Sequence, residues 1–150
     1  DTCCGCGGNL ISFTKYFNNI TAIELNNERF KYVKNNIKCY TNKNINLING
    51  NCLDYIRTTN KTYDYLYFDF MFNISKSALP TKREQFLRKI VPNSIYNNKK
   101  IIMETLQRVS CKIIIKEHVK SNDYEDLNII NTYKEKTVKY HLLDGKNGYK

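Results

Sequence analysis

The sequence predicts an open α/β sheet, and three observations lead to this fold class. Three glycines, Gly5, Gly7 and Gly8, are followed at once by apolar residues at helical spacing, which is typical of a turn between a strand and a helix. Short apolar segments of strand length then alternate with segments of helical periodicity. Near the carboxyl end, two strand-like segments joined by a short polar link predict an antiparallel hairpin. A length of 150 residues predicts one domain, spanning 1–150.

The first half of the chain is predicted to contain two helices and two strands. The first helix covers 10–17, and a short buried strand follows at 20–24. Asn26 or Asn27 can cap the second helix, because an Asn side chain accepts hydrogen bonds from free N–H groups of the first turn. A further strand is predicted at 45–48. The residues expected to face the core from the two helices are Leu10, Phe13, Thr14, Phe17, Phe30, Val33, Ile37 and Tyr40.

The second half is predicted to contain four strands and two helices. The strands cover 63–72, 111–115, 129–133 and 137–143, and the helices cover 82–90 and 99–107. In the last strand apolar and polar residues alternate, so we expect one face to be buried and the other to face water. The apolar set is Val138, Tyr140 and Leu142, and the polar set is Thr137, Lys139 and His141.

The glycine turn and two acidic residues predict a pocket for a nucleoside. Asp1 precedes the turn, and Glu24 ends the next strand, where a carboxylate can bind ribose hydroxyls. Glycine lets the backbone come close to a ligand. A dinucleotide requires the spacing G-x-G-x-x-G, whereas this chain has C-G-x-G-G-N, so a nicotinamide-dependent oxidoreductase is disfavoured. The alternative is a turn that only lets a helix pack on a strand.

The set Asp1, Cys4, Gly5, Gly7, Gly8 and Asn9 resembles motif I of class I S-adenosylmethionine-dependent methyltransferases, in particular the RNA cap guanine-N2, or trimethylguanosine synthase, branch. The resemblance implies that the turn wraps the methionine part of S-adenosylmethionine. It also implies a Rossmann-like sheet that is mostly parallel and ends in a C-terminal antiparallel hairpin. In that fold Asp1 would end the first strand, so the resemblance implies that this strand is missing from the fragment.

A second resemblance begins at Asp69. The run D-F-M-F from Asp69 to Phe72, followed by K-S-A-L at 76–79 and I-I-I-K at 113–116, is similar to bacterial small-subunit ribosomal RNA guanine-N2 methyltransferases. In amino-methylating members, the first position of this run and a main-chain carbonyl accept hydrogen bonds from the target amine, and the final aromatic ring stacks on the base. The resemblance therefore implies Asp69 and Phe72 as catalytic residues. Phe70 stands where those proteins carry proline.

The resemblance to methyltransferases also implies a set of residues that bind the cofactor. Residues 51–54 stand where family members read the adenine ring. Asn51 can donate to or accept from its exocyclic amine and ring nitrogen, although Asp is commoner there. The full set is Asp1, Gly5, Gly7, Gly8, Asn9, Glu24, Leu25, Asn51, Cys52 and Asp69.

The charge and the cysteines bear on partners and location. Lys and Arg outnumber Asp and Glu by 24 to 14, and the net charge of +10 favours a polyanionic partner, here RNA. A coding bias towards Asn, Lys, Ile and Tyr could produce the same charge. Six cysteines without a C-x-x-C partner pair downstream predict reduced thiols in an intracellular, cytoplasmic protein and no metal site. No apolar run approaches the roughly 20 residues that span a bilayer, so no membrane partner is expected.

Two functions are left open by the sequence. The first is transfer of a methyl group from S-adenosylmethionine to the exocyclic N2 amine of guanine, in capped RNA or in ribosomal RNA. The second is a catalytically silent scaffold of the same fold that binds the cofactor or RNA, which Phe70 in place of proline favours. The oligomeric state is not predicted.

Overall fold

The computed structural model of the chain describes residues 1–41, 43–70 and 97–146. The described strands are β1 (Asn19–Glu24), β2 (Asn44–Asn49), β3 (Tyr65–Phe68), β4 (Lys112–His118), β5 (Ile129–Lys134) and β6 (Val138–Asp144). The described α-helices are α1 (Gly8–Phe13), α2 (Asn27–Asn36), α3 (Cys52–Thr58) and α4 (Asn98–Arg108), and a short 3₁₀ helix follows α2 at Ile37–Cys39. The predicted α/β class is confirmed.

The sheet has a parallel region and an antiparallel edge. β1 pairs with β2 and β3 pairs with β4 in parallel, whereas β6 lies antiparallel between β4 and β5. Residues 1–4 join the two groups of strands. Cys4 N–H donates to the carbonyl of Ile23 in β1 at 2.9 Å, and Thr2 N–H donates to the carbonyl of Tyr67 in β3 at 3.0 Å. This arrangement confirms the predicted Rossmann-like sheet with its C-terminal antiparallel hairpin.

Helices on both sides of the sheet bury its apolar residues. Ile102 and Leu106 of α4 are fully buried in one cluster with Ile113 of β4. In a second cluster, Leu10 of α1 and Val33 of α2 pack with residues of β1. Complete burial of a Leu or Ile side chain contributes about 1.5–3 kcal/mol. The two clusters therefore hold the strands whose carboxyl ends carry the predicted site.

The first two helices end earlier than predicted. The side chain of Thr14 donates to the carbonyl of Ile11 at 2.7 Å, and the turns that follow Phe13 are not α-helical, so Phe17 is left exposed rather than in the core. After α2 the backbone tightens into the 3₁₀ helix, which has about three residues per turn instead of 3.6. Tyr40 therefore rotates away from the core face and is 62% exposed, so its predicted core position is wrong.

The predicted strand 63–72 is shorter in the described part of the chain. β3 covers Tyr65–Phe68, and Asp69 follows it directly in a segment without regular structure. Phe72 and the predicted helix 82–90 lie outside the described residues. α3 was not predicted; it begins because Asn51 caps it, with its Oδ1 accepting from the N–H of Leu53 at 2.8 Å.

The alternation predicted for the last strand is present, but the assignment of its faces is reversed. Lys139, His141 and Leu143 are the buried set, whereas Val138 and Tyr140 are only partly buried. Polar side chains can occupy the inner face when they are paired there. The pairing partner of Lys139 and His141 is Glu117, a buried glutamate of β4.

None of the helices described in the chain is both long enough and apolar enough to cross a membrane.

Candidate functional site

The carboxyl ends of the parallel strands bring the predicted site residues to one edge of the sheet. Glu24 ends β1, Asp69 follows β3, and the glycine turn follows residues 1–4, which run between these two strands. The side chain of Asn9, just past the turn, donates from Nδ2 to Oδ2 of Asp69 at 2.7 Å. The predicted cofactor turn and the predicted catalytic carboxylate are therefore in direct contact.

Two cavities lie beside the sheet, one next to the glycine turn and one at the opposite edge. One of about 180 Å³ lies between the turn and α2 and is lined by Gly7 and Gly8. A wider cleft of about 1130 Å³ opens at the amino ends of the strands, between Thr21 of β1 and Tyr65 of β3. We place the site by its converging polar groups rather than by the wider cleft, because ligands of open α/β sheets bind at the carboxyl ends of the strands.

The turn requires glycine at two positions and is open at a third. Gly5 and Gly7 have φ of 58° and 84°, in the left-handed region that costs other residues about 1–2 kcal/mol. A Cβ on Gly7 would also stand 3.4 Å from Cγ2 of Val33 in α2. At Gly8, the first residue of α1, no described atom lies within 4 Å of the position of a Cβ. The turn is thus held by packing on one side and open at Gly8.

Glu24 binds the turn itself. Its Oε2 accepts from the N–H of Gly5 at 2.7 Å, and its Oε1 accepts from the N–H of Asn26 at 2.8 Å and pairs with the guanidinium of Arg29 at 2.6 Å. These contacts use three of the roughly four lone-pair sites of the buried carboxylate, and the fourth is on Oε2. Glu24 therefore fixes the glycine turn, and among the described residues it keeps one unused acceptor site; its contact with a ribose hydroxyl stays a prediction.

Asp1 provides an unused acceptor beneath the turn. Its Oδ1 accepts from the N–H of Cys3 at 3.2 Å, whereas its Oδ2 is buried and has no hydrogen-bond partner among the described residues. A buried carboxylate oxygen without a partner is unfavourable, and a cationic donor would satisfy it. S-adenosylmethionine carries such a donor in its amino-acid ammonium group. The orphaned oxygen and the left-handed glycines therefore fit this cofactor.

Asp69 is paired with a cation that the sequence did not single out. Lys116 of β4 donates from Nζ to Oδ2 of Asp69 at 2.8 Å, and the two side chains are 21% and 18% exposed. Oδ2 thus accepts from both Lys116 and Asn9. Among the described residues, Oδ1 of Asp69 has no hydrogen-bond partner. The carboxylate is held in place by one oxygen and presents the other.

The remaining predicted cofactor residues lie around the ends of β1 and β2. Leu25 is 51% exposed directly after Glu24, which offers apolar surface beside the ribose acceptor. Oδ1 of Asn51 is used as the cap of α3, so the amide Nδ2 is the group left to contact adenine. Cys52 is buried in the first turn of α3. The contacts of these residues with the cofactor stay predictions.

Cys3 and Cys4, at the start of the turn, are uncharged thiols. A hydrogen bond to Cys52, followed by burial, raises the pKa of Cys3 well above its ordinary value. Burial and the nearby charge of Glu24 raise the pKa of Cys4 to about 12. In the described part of the chain, no three His, Cys, Asp or Glu side chains cluster as they would around a metal ion. These thiols therefore serve as small, uncharged packing groups.

Sequence reasoning missed two residues at this edge. Besides Lys116, Asn49 at the end of β2 donates from Nδ2 to the carbonyl of Glu24 at 2.8 Å and so joins the ends of the two strands. Asn49 is the last residue of β2, and Lys116 lies two residues before the end of β4. Each strand is adjacent to a strand that carries a predicted site residue. Polarity at a predicted strand end was the signal that could have found them.

Comparisons with known sequences agree with this arrangement. Residues 1–81 match the model of a family described as RNA cap guanine-N2 methyltransferase. A stretch of 66 residues is 44% identical to an uncharacterised protein of Acanthamoeba polyphaga mimivirus; it covers 43% of this chain and 26% of that protein. The chain thus matches about a quarter of the length of this relative.

Several solved structures of similar fold are described as methyltransferases. An S-adenosylmethionine-dependent methyltransferase of Neisseria gonorrhoeae matches with a TM-score of 0.67 at 14% identity, over 97% of this chain and 60% of that one. A putative methyltransferase of Escherichia coli has a TM-score of 0.63 at 13% identity, over 97% and 73%. A putative methyltransferase of Streptococcus mutans in complex with SAH has a TM-score of 0.55 at 13% identity, over 95% and 86%.

The two kinds of comparison support different statements. At these low identities the solved structures establish the fold, and together with the family match they support S-adenosylmethionine as the cofactor. The family match itself covers more than half of the 150 residues. The chain therefore belongs to the family of RNA cap guanine-N2 methyltransferases.

Proposed function

We propose that the chain transfers the methyl group of S-adenosylmethionine to the exocyclic N2 amine of guanine in RNA, either capped or ribosomal. The observation that carries this proposal is the 2.7 Å contact between Asn9 and Asp69, because it joins the glycine turn to a carboxylate at the edge of the sheet. The family match over 1–81 supports both RNA and guanine N2 as the target. A single methyltransferase domain over 1–150 remains part of the proposal.

The residues of the chain have to position the nucleophile. When bound, S-adenosylmethionine supplies a methyl group already activated on a sulfonium. Holding a nitrogen in line with that methyl group can lower the barrier by about 7–11 kcal/mol. The lone pair of a guanine amine is delocalised into the ring, and acceptors for its two hydrogens favour the pyramidal nitrogen that attacks. Oδ1 of Asp69 and the carbonyl of Phe70 are the acceptors we assign to this role. As the N–C bond forms, the bond from the methyl group to sulfur breaks, and Asp69 or water takes the proton that the methylated nitrogen loses.

The base and its RNA require further contacts. Phe72, which lies outside the described residues, is the proposed stacking platform, and stacking of a base on an aromatic ring contributes about 1–3 kcal/mol. A target base in a duplex would have to leave its stack before it could reach Asp69. The net charge of +10 supports binding of the RNA backbone.

The test is transfer of a labelled methyl group to RNA by the wild-type chain and by an Asp69→Ala variant. We expect the variant to lose transfer on the order of 100-fold or more, the effect of removing one preorganised polar contact in an active site. Calorimetry of the variant with S-adenosylmethionine measures separately how much the predicted contact of Asp69 with the cofactor contributes to binding. Asp126→Ala is the matched control, because Asp126 is an exposed carboxylate that also pairs with a lysine, Lys99 at 2.6 Å.

The products decide between the remaining functions. Digestion of the labelled RNA should release N2-methylguanosine, and separate assays with capped and ribosomal RNA identify the substrate. Label on any other nucleoside would refute guanine N2. Cofactor binding without transfer to any RNA would support the silent scaffold, and equal transfer by the Asp69→Ala variant would remove the role of this carboxylate.

A further inference from the structure

The pairing register of the sheet explains why Lys116 meets Asp69. β3 and β4 are parallel, and Phe68 is the partner of Ile115 in their register. Asp69, which follows the end of β3, and Lys116, still within β4, are the next residue of each chain segment, so the register places them side by side. Their 2.8 Å contact is at the proposed site and is partly open to solvent. The register thus presents an acceptor and a donor together.

The pair has hydrogen-bonding capacity that the described residues do not use. A lysine ammonium has three N–H donors, and Lys116 gives one of them to Asp69. Among the described residues no other acceptor contacts this ammonium, so two donors are available. Oδ1 of Asp69 is likewise without a partner in the described ranges. A planar ligand that approaches the pair would therefore find an acceptor beside a donor.

We propose that Lys116 recognises the target base by donating a hydrogen bond to O6 of guanine while Asp69 accepts from the N2 amine. This inference rests on the proposed function and names its specificity residue. Guanine presents donors at N2 and N1 and an acceptor at O6 along one edge, which is complementary to an acceptor beside a donor. An adenine bound in the same orientation has no amine at C2, and its C6 amine would oppose the donors of Lys116.

The pair also explains why a lysine is suitable at this position. A charge-assisted hydrogen bond is about twice as strong as a neutral one, and it is stronger still at a site shielded by the base. The ammonium keeps its contact with Oδ2 of Asp69 while it binds O6, so substrate binding does not have to break the pair. Lys116 would thus select guanine and keep Asp69 in position during the reaction.

The test compares two target bases in two forms of the enzyme. RNA oligonucleotides carry either guanine or 2-aminopurine at the target position; 2-aminopurine keeps the C2 amine but lacks O6. Single-turnover methyl transfer is measured with the wild-type chain and with a Lys116→Met variant, which keeps an unbranched side chain one atom shorter and removes the ammonium. We expect the wild type to prefer guanine by at least 10- to 100-fold, the effect of one hydrogen bond to a charged group.

In the Lys116→Met variant this preference should fall by about the same 10- to 100-fold. Any general effect of leaving Asp69 without its cation acts on both bases and cancels in the ratio. A Lys116→Arg variant retains donors and should keep most of the preference for guanine, which also covers the case in which the methionine variant folds poorly. Thermal unfolding of each variant checks that it is folded.

The outcomes separate this inference from the proposed function. If both bases lose transfer equally in the Lys116→Met variant, Lys116 does not contact O6, although N2 methylation of guanine stands. A variant that loses affinity for all RNA alike, with an unchanged base preference, would show a phosphate contact instead and would also overturn the inference. If the wild type forms no N2-methylguanosine, the proposed function fails, and this inference fails with it.

Discussion

Lys116 and Glu117 are neighbours in β4, and they make ion pairs on opposite faces of the sheet. Lys116 meets Asp69 at a partly exposed edge, where one oxygen of the carboxylate and two donors of the ammonium have no partner among the described residues. Glu117 is 2% exposed and every one of its oxygens is engaged. Oε1 accepts from Ser121 Oγ at 2.8 Å and from the N–H of Asp123 at 2.7 Å.

The second oxygen of Glu117 completes a buried network. Oε2 contacts Nε2 of His141 at 2.9 Å and Nζ of Lys139 at 3.2 Å. These two residues have further partners: His141 contacts the hydroxyl of Thr132, and Lys139 donates to Asn122. The network therefore ties β4, β5 and β6 to the loop after β4. Among the described residues, the buried pair is thus fully hydrogen-bonded, whereas the pair of Lys116 and Asp69 retains the unused donors and acceptor on which the proposed contact with the base depends.

The largest expected effect is on stability, in a Glu117→Ala variant. Removing the glutamate leaves Lys139 and His141 buried without their common partner, and breaking a buried ion pair in this way costs about 3–5 kcal/mol. For a chain of this length, each kcal/mol lowers the melting temperature by roughly 2–4 °C. The measurement is the free energy of unfolding in denaturant at pH 7.

The neighbouring residue is the matched control for that experiment. A Lys116→Met variant removes a partly exposed pair, and such pairs contribute about 0–1 kcal/mol. We therefore expect at least a threefold difference between the two stability losses. Equal losses in the two variants would contradict the division between a structural network and a ligand-binding pair.

The pH dependence of the unfolding free energy tests the contribution of the Glu117 charge to the same network. Burial raises the pKa of Glu117, but hydrogen bonds from His141 and Ser121 outweigh it, so the pKa in the folded chain lies below the ordinary value of 4.5. As the pH falls, Glu117 is therefore protonated in the unfolded chain before it is protonated in the folded chain. The stabilisation is therefore present above about pH 4.5 and is lost as the pH falls through the lower pKa of the folded chain.

The measurement is the difference in unfolding free energy between the wild type and a Glu117→Gln variant from pH 7 to pH 2.5. We expect the difference to be constant down to about pH 5 and to shrink below it. The control is the same difference in unfolding free energy measured between the wild type and an Asp126→Asn variant. Asp126 is exposed, and its ion pair with Lys99 is screened by solvent. A difference that grows as the pH falls would reverse the predicted sign.

The parts of the candidate site that could be predicted are those set by local backbone conformation and by the position of a residue along its strand. Gly5 and Gly7 are required by left-handed φ, and Asp69 lies at the carboxyl end of β3, although the predicted strand extended past it to residue 72. Lys116 was not recognised as a site residue because its role comes from the register between β3 and β4, which are separated by more than 40 residues in the chain. The local sequence shows only a polar residue after an apolar run, and it does not show which distant strand lies beside it.

Helices and strands were predicted correctly where the periodicity of the apolar residues alone determines their bounds. α4 and the terminal hairpin follow their periodicity closely. The buried face of β6 was predicted wrongly because hydropathy ranks His141 and Lys139 as outward residues, whereas a buried partner on β4 reverses their preference. Tyr40 was predicted wrongly to face the core because the 3₁₀ helix has a different period from an α-helix, and no residue in that helix indicates the change in the sequence.

The glycine turn contains the same contrast between packing and ligand binding on a smaller scale. In a Gly7→Ala variant the left-handed φ of 84° and the contact with Val33 should cost about 1–2 kcal/mol of stability. In a Gly8→Ala variant no described atom is met and φ is not positive, so stability should be unchanged or slightly higher.

If the backbone at Gly8 approaches S-adenosylmethionine, the Gly8→Ala variant should weaken cofactor binding, by about tenfold for each 1.4 kcal/mol of steric cost. Calorimetric titration and thermal unfolding of the two variants measure both quantities, with Gly50→Ala as the control because its Cβ also meets nothing within 4 Å. Full cofactor affinity in the Gly8→Ala variant would mean that the open side of the turn faces solvent, and the methionine part of the cofactor would then have to bind on the side of Asp1.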